Sequence, residues 1–214
     1  MPYSAVTCAF KFLLAAIVLN SVYLATPLAA TQNLEKVLLQ LSGEERSSLQ
    51  SDQVSLSGDR GEYQGRFLVE ASLAQAWDVL TDYDNFTDFL PNVTAAQLLE
   101  TDGNHKIFEQ VQVVSVFFVT REARVKIATE ETEFTNIRFS LVEGDLERLE
   151  GTWELTPISR NQESTPTQVL ITYRVKVQPN NDTPTNIFYN VYRDSLQDSL
   201  EAIKTEIELR ANYK

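Results

Sequence analysis

Ala76-Trp77-Asp78-Val79-Leu80-Thr81-Asp82-Tyr83-Asp84-Asn85-Phe86-Thr87-Asp88-Phe89-Leu90-Pro91-Asn92-Val93 is the stretch whose reading decides the fold. Ser72 just before it can cap a helix running from Leu73 to about Thr81, because Leu73, Ala76, Trp77 and Leu80 fall at helical spacing. Trp77 on that face reads as core rather than as a ligand platform. Asp82-Tyr83-Asp84 breaks the helix, Asn85 to Leu90 makes one aromatic turn, and Pro91 stops it. Asp82 and Asp84, at a helix end, read as solvated turn formers.

On both sides the pattern changes from helical to alternating. Before it, Val54 to Ser57 and Tyr63 to Ala71 flank the turn Gly58-Asp59-Arg60-Gly61 and read as a hairpin. After it come six runs rich in β-branched and aromatic residues: Val93 to Glu100, Lys106 to Phe118, Arg121 to Glu131, Asn136 to Val142, Leu149 to Pro157 and Gln168 to Gln178. The turns between them are short, so neighbours should pair antiparallel. Pro184 then opens the longest helix, from about Thr185 to Ala211. Phe188, Val191, Tyr192, Leu196, Leu200, Ile203 and Ile207 share its apolar face, and Asn190, Arg193, Asp194, Gln197, Asp198, Glu201, Lys204 and Glu208 share its polar face. Ser195 and Ser199 sit within the apolar stripe. Their hydroxyls either bond back to the helix carbonyls or leave room for a bound molecule.

The beginning of the chain reads differently. Lys11 is followed by an apolar run from Phe12 to Leu19 and small residues ending at Ala29-Ala30, the pattern of a secretory signal over 1–30 with cleavage after Ala30. An uncleaved anchor is the other reading, against which stand the shortness of the run and Asn20 within it. Residues 31–52 form an N-terminal extension: Leu34, Val37, Leu38 and Leu41 mark a short leader helix, free to move, and Glu44 to Asp52 is a polar stretch beyond it. The domain proper is 53–214.

Of 214 residues, 18 are Lys or Arg and 30 are Asp or Glu, for a net charge of −12. Losing Lys11 with the leader makes it −13. Such a surface disfavours nucleic acid and docking to anionic lipid. The only Cys is in the leader, and the only His, His105, follows the turn Asp102-Gly103-Asn104. A metal centre or a Ser/Cys-His catalytic set is thereby disfavoured, and no cofactor is expected. Asn85, Asn92 and Asn181 begin Asn-x-Ser/Thr sequences, which would accept glycans only in a eukaryotic secretory route.

The run Val79 to Phe86, continuing through Phe89-Leu90-Pro91-Asn92, resembles the opening of the START-like (SRPBCC) superfamily, in the branch called polyketide cyclase/dehydrase or coenzyme Q-binding Coq10/START. Val142-Glu143-Gly144-Asp145-Leu146 and Leu149-Glu150-Gly151-Thr152-Trp153-Glu154-Leu155 are similar to that branch's later strand signature. The resemblance runs from about Tyr63 to the C-terminus, and the secreted form looks most like a cyanobacterial member. It implies an α+β helix-grip (Bet v 1-like) fold, a curved antiparallel sheet wrapped around the C-terminal helix with an elongated cavity between them. Binding or carriage of a hydrophobic small molecule follows as the expected function: a lipid, isoprenoid quinone or pigment, held without covalent chemistry. Alternation then nominates Val113, Phe117, Val125, Ile127, Phe139, Leu141, Trp153, Ile171 and Tyr173 as inward-facing, with Phe188 from the helix. Phe86, Phe89 and Leu90 would form a lip able to touch a membrane transiently, or would plug the core. Tyr173, Tyr192, Ser195 and Ser199 would orient a polar headgroup. The alternatives are an aromatase/cyclase or dehydratase using Asp82, Asp84, Tyr83, Tyr173 and Tyr192, and a protein-interaction module using the same groove. An exported location, periplasm or thylakoid lumen, follows from the leader.

Overall fold

The computed structural model describes residues 30–116, 119–159, 166–181 and 183–213. The proposed signal over 1–30 therefore lies almost wholly outside the described residues, as does Phe117.

Ser72 caps α3 (Leu73–Leu80) as its position suggests. Its hydroxyl accepts from the Gln75 N–H at 3.2 Å, and its own N–H donates to Gln75 Oε1 at 2.9 Å. Ala76, Trp77, Val79 and Leu80 are buried, and Trp77 meets Phe134 edge-on, as a core residue. A 3₁₀ turn at Tyr83–Asn85 and α4 (Phe86–Phe89) follow, so the bend and second turn are both present.

The strands are β1 (Gln32–Asn33), β2 (Ser55–Asp59), β3 (Glu62–Val69), β4 (Val93–Asp102), β5 (His105–Val116), β6 (Val119–Thr132), β7 (Asn136–Gly144), β8 (Leu146–Ser159) and β9 (Gln168–Pro179). Eight of them form an antiparallel sheet in the order β2-β3-β9-β8-β7-β6-β5-β4, and β1 pairs parallel with the end of β8. Each strand of the meander lies beside its sequence neighbour. The long-range step is β3 against β9, which brings the first hairpin to the last strand. Bulges in β4, in β8 and between β6 and β7 bend the sheet.

The helix α5 (Thr185–Asn212) lies on the concave face. Leu196, Leu200, Ile203 and Ile207 are buried there with Phe67 and Val69 of β3, Leu155 of β8 and Ile171 of β9. Gly65 permits the close approach: a side chain at that position would strike Leu200. The helix's far end is fixed by Arg210, which pairs with Asp82 at 2.7 Å and Glu206 at 2.6 Å. Lys204, placed on the polar face by its spacing, is buried because it pairs with Glu208 at 2.7 Å and Asp52 at 3.0 Å.

The N-terminal extension is more structured than its polarity implies. Beyond α1 (Leu34–Gln40), the stretch read only as polar forms a second helix, α2 (Gly43–Gln50), started by a capping box between Ser42 and Glu45. Both helices dock on the convex face, where Val37 and Leu49 are buried with Leu68, Ile158 and Leu170. Glu45 also pairs with Arg66 on β3.

That pairing makes docking pH-dependent. Burial alone would raise the Glu45 carboxyl, but hydrogen bonds from Ser42 and the Arg66 guanidinium outweigh it and hold the group below the usual 4.5. A lowered carboxyl contributes stability that is full above its unfolded value and is lost as pH falls through the folded one. Glu45→Gln is therefore expected to lower Tm at pH 7, with the difference from wild type closing as pH falls below 4.5. Thermal melts of both proteins from pH 7 to pH 3 check this.

Candidate ligand-binding groove

The helix α5 packs chiefly on β3, β2, α3 and α4. Along its first half, the concave face of the middle strands carries Phe139, Leu141, Leu149 and Trp153 only half-buried, as are Phe188 and Tyr192 of the helix. This part of the concave face is an aromatic stretch that α5 covers only in part, the candidate groove.

Register sets which side chains line it. The pairs Phe139 with Gly151 and Trp153 with Tyr173 put these residues on the inner face. Gly151 leaves a bare strip across which the Phe139 ring lies, since a side chain there would strike that ring and the Arg174 carbonyl. Phe139 thus reaches Tyr173, stacking at 5.7 Å, and Trp153 meets the same ring at 4.3 Å. From the helix, Phe188 and Tyr192 stack at 5.6 Å, and Tyr63 of β3 stacks on Tyr192 at 5.7 Å. Tyr63 also lines an open cavity of about 630 Å³ between the β2–β3 turn and the start of α5. Val125 and Ile127 continue the floor toward Phe108 and Tyr83, and Ile171 is wholly buried beneath α5.

A family model described as polyketide cyclase / dehydrase and lipid transport matches residues 69–204. The chain belongs to that family. Among solved structures, a STAR-related lipid transfer protein from Xanthomonas axonopodis has a TM-score of 0.55 at 18% identity, covering 72% of this chain and 98% of its own. The Zhui aromatase/cyclase from a Streptomyces species also has 0.55, at 17% identity, covering 71% of this chain and 96% of its own. At such identities the likeness concerns the fold: the helix-grip architecture is shared. The persistence and stress-resistance toxin PasT of Escherichia coli is 28% identical over 97 residues, 44% of this chain. The match spans little more than half, 57%, of that protein.

Within this polyketide cyclase/lipid-transport fold, one nominated residue is misplaced. Val113 pairs with Glu122, on the face opposite Phe108 and Ile127, so it points outward. The reason is that Gln110 and Gln112 take the inward positions of β5 between Phe108 and the ribbon's end, defeating an apolar-in reading of alternation. Phe86, Phe89 and Leu90 are half-buried rather than free. Phe86 meets Tyr83 and Phe108, Phe89 meets Phe86, and Arg210 lies over the Phe89 ring at 5.5 Å. Ser199 donates to the Ser195 carbonyl at 2.8 Å, so its hydroxyl is used within the helix. Tyr63 and the buried Gln110 and Thr129 are inward residues that the sequence reading passed over. For Tyr63 the signal was present, since it alternates with Phe67 and Val69.

The site's chemistry is that of neutral hydroxyls. Burial, then the neighbouring Tyr192 hydroxyl, pushes Tyr173 well above the ordinary tyrosine value. Burial likewise raises Tyr192 and Tyr83, and Tyr83 donates to Glu131 at 2.8 Å. Asp82 is occupied by Arg210 and Asn85, and Asp84 accepts from the Leu98 N–H at 2.7 Å.

Proposed function

We propose that the protein binds and carries a hydrophobic small molecule, of the lipid, isoprenoid quinone or pigment type, in the aromatic groove and without covalent chemistry. The observation that carries this reading is the run of half-buried aromatic side chains, Phe139, Trp153, Phe188 and Tyr192, on the concave face. Ligand sites combine such an apolar lining with a few fixed polar groups, here the tyrosine hydroxyls. An aromatase or dehydratase would need a positioned acid and base in the groove. The aspartates nominated for that role are engaged in structural contacts, and the tyrosines are held protonated. Export through residues 1–30, to periplasm or thylakoid lumen, and a transient apolar contact with a membrane while collecting cargo belong to the same proposal.

Native mass spectrometry of protein purified from its own host tests it. A stoichiometric apolar compound is expected, identified after organic extraction and depleted in a Trp153→Ala variant that retains its fold. An empty, folded protein that takes up neither lipids nor isoprenoids would overturn the carrier reading.

A further inference from the structure

Gln110 is a polar residue of the concave face that the fold leaves unused. In register it lies between Ala96 of β4 and Val125 of β6, two residues along β5 from Phe108, so its side chain shares the inner face with Phe108, Val125 and Ile127. Only 8% of the residue is exposed, yet its amide forms no hydrogen bond with the rest of the protein. Among the described residues, the side-chain polar atom both shut off from solvent and without a partner is Gln168 Oε1. The Gln110 amide therefore still reaches open space. Around it the inner face is apolar, with half-buried Phe86, Leu98, Leu141, Leu146 and Leu149 packed on the same cluster. Glu109 with Arg124, and Lys126 with Glu143, pair on the other face of these strands. Lys106 and Glu131 do face inward, but beyond Phe108 and Ile127, where Lys106 donates to the Gly103 carbonyl at 3.4 Å and Glu131 accepts from the Tyr83 hydroxyl at 2.8 Å.

We infer that the Gln110 amide is a polar anchor of the groove, and that it takes the hydroxyl of an uncharged, otherwise apolar ligand. This rests on the carrier reading and narrows it. An amide presents an N–H donor beside a carbonyl acceptor, and an alcohol answers both, accepting from one and donating to the other. An amide buried without a partner destabilises the fold, and a bound alcohol removes that penalty. A hydrocarbon leaves the penalty in place. A carboxylate can use the N–H side alone and must shed its hydration on an apolar floor.

Equilibrium dialysis of ligand-free protein with three probes tests this: 2-naphthalenemethanol, its isosteric hydrocarbon 2-ethylnaphthalene, and 2-naphthoate. In wild type the alcohol is expected to bind tighter than the carboxylate. Gln110→Met keeps an unbranched side chain of similar length and removes the amide, so it should shift the affinity ratio of alcohol to hydrocarbon about 10-fold toward the hydrocarbon, the effect of losing one neutral hydrogen bond. The Tm of the ligand-free variant should equal or exceed that of wild type, because no pairing within the protein is lost. An unchanged ratio, tightest binding by 2-naphthoate in wild type, or a lowered Tm in the variant, which would mark the amide as a structural group, would each overturn the inference while leaving a hydrophobic carrier in place. Failure of all three probes to bind either protein would remove the carrier reading with it.

Discussion

Leu200→Ala is expected to cost about 3–5 kcal/mol of stability, the upper part of the range for a buried leucine. Its side chain is 0% exposed and sits at the centre of the contact between α5 and the sheet. The cost is high because the residue beneath it is Gly65, which has no side chain to move into the hole. In a domain of this size such a loss lowers Tm by roughly 10 °C, readable by circular dichroism. The same geometry predicts a reversal of sign. Gly65→Ala alone destabilises, because its methyl strikes Leu200, but in the Leu200→Ala background that methyl refills part of the cavity and raises Tm. Additive effects in this double-mutant cycle would show that the two residues do not share the space described.

The second large effect is expected at Leu49→Asp. Leu49 is buried where α2 meets Leu68, Ile158 and Leu170 on the convex face. A carboxylate cannot stay there unpaired, so the helix pair should undock rather than bury it. Undocking caps the loss at what the docking supplies, about 2–4 kcal/mol. The signature is local: faster proteolysis within 31–52 and binding of a hydrophobic dye to the uncovered strands, with the α5 core intact. A global loss of structure instead would show that the extension is part of the folding unit.

Much of the architecture was legible because its signals were periodic. The α5 stripe, the α3 cap and the six-strand meander all follow from spacing, and the strands lie within a few residues of their expected bounds. The α2 helix was obscured by composition, since among Gly43 to Gln50 only Leu49 is apolar. Its start was nonetheless written in Ser42-Gly43-Glu44-Glu45, the spacing of a capping box. Val113 illustrates a different limit. On β5 neither face is uniformly apolar, so only pairing with β6 fixes which side points inward. The groove was legible as a set of aromatic residues but not as contacts, because the Tyr173–Tyr192 pair joins a strand to a helix and no local pattern places them together.

The two residues of β1 also guard against disorderly assembly. Beside β8, β7 is paired only over Glu150 to Glu154, and Gln32–Asn33 runs along Ile158 and Ser159 farther on. Without that pairing the end of β8 would offer open backbone donors and acceptors next to the buried Ile158, the kind of edge that recruits a strand from another molecule. A chain cut between residues 33 and 34 should therefore be more prone to form fibrils than one that keeps this short strand.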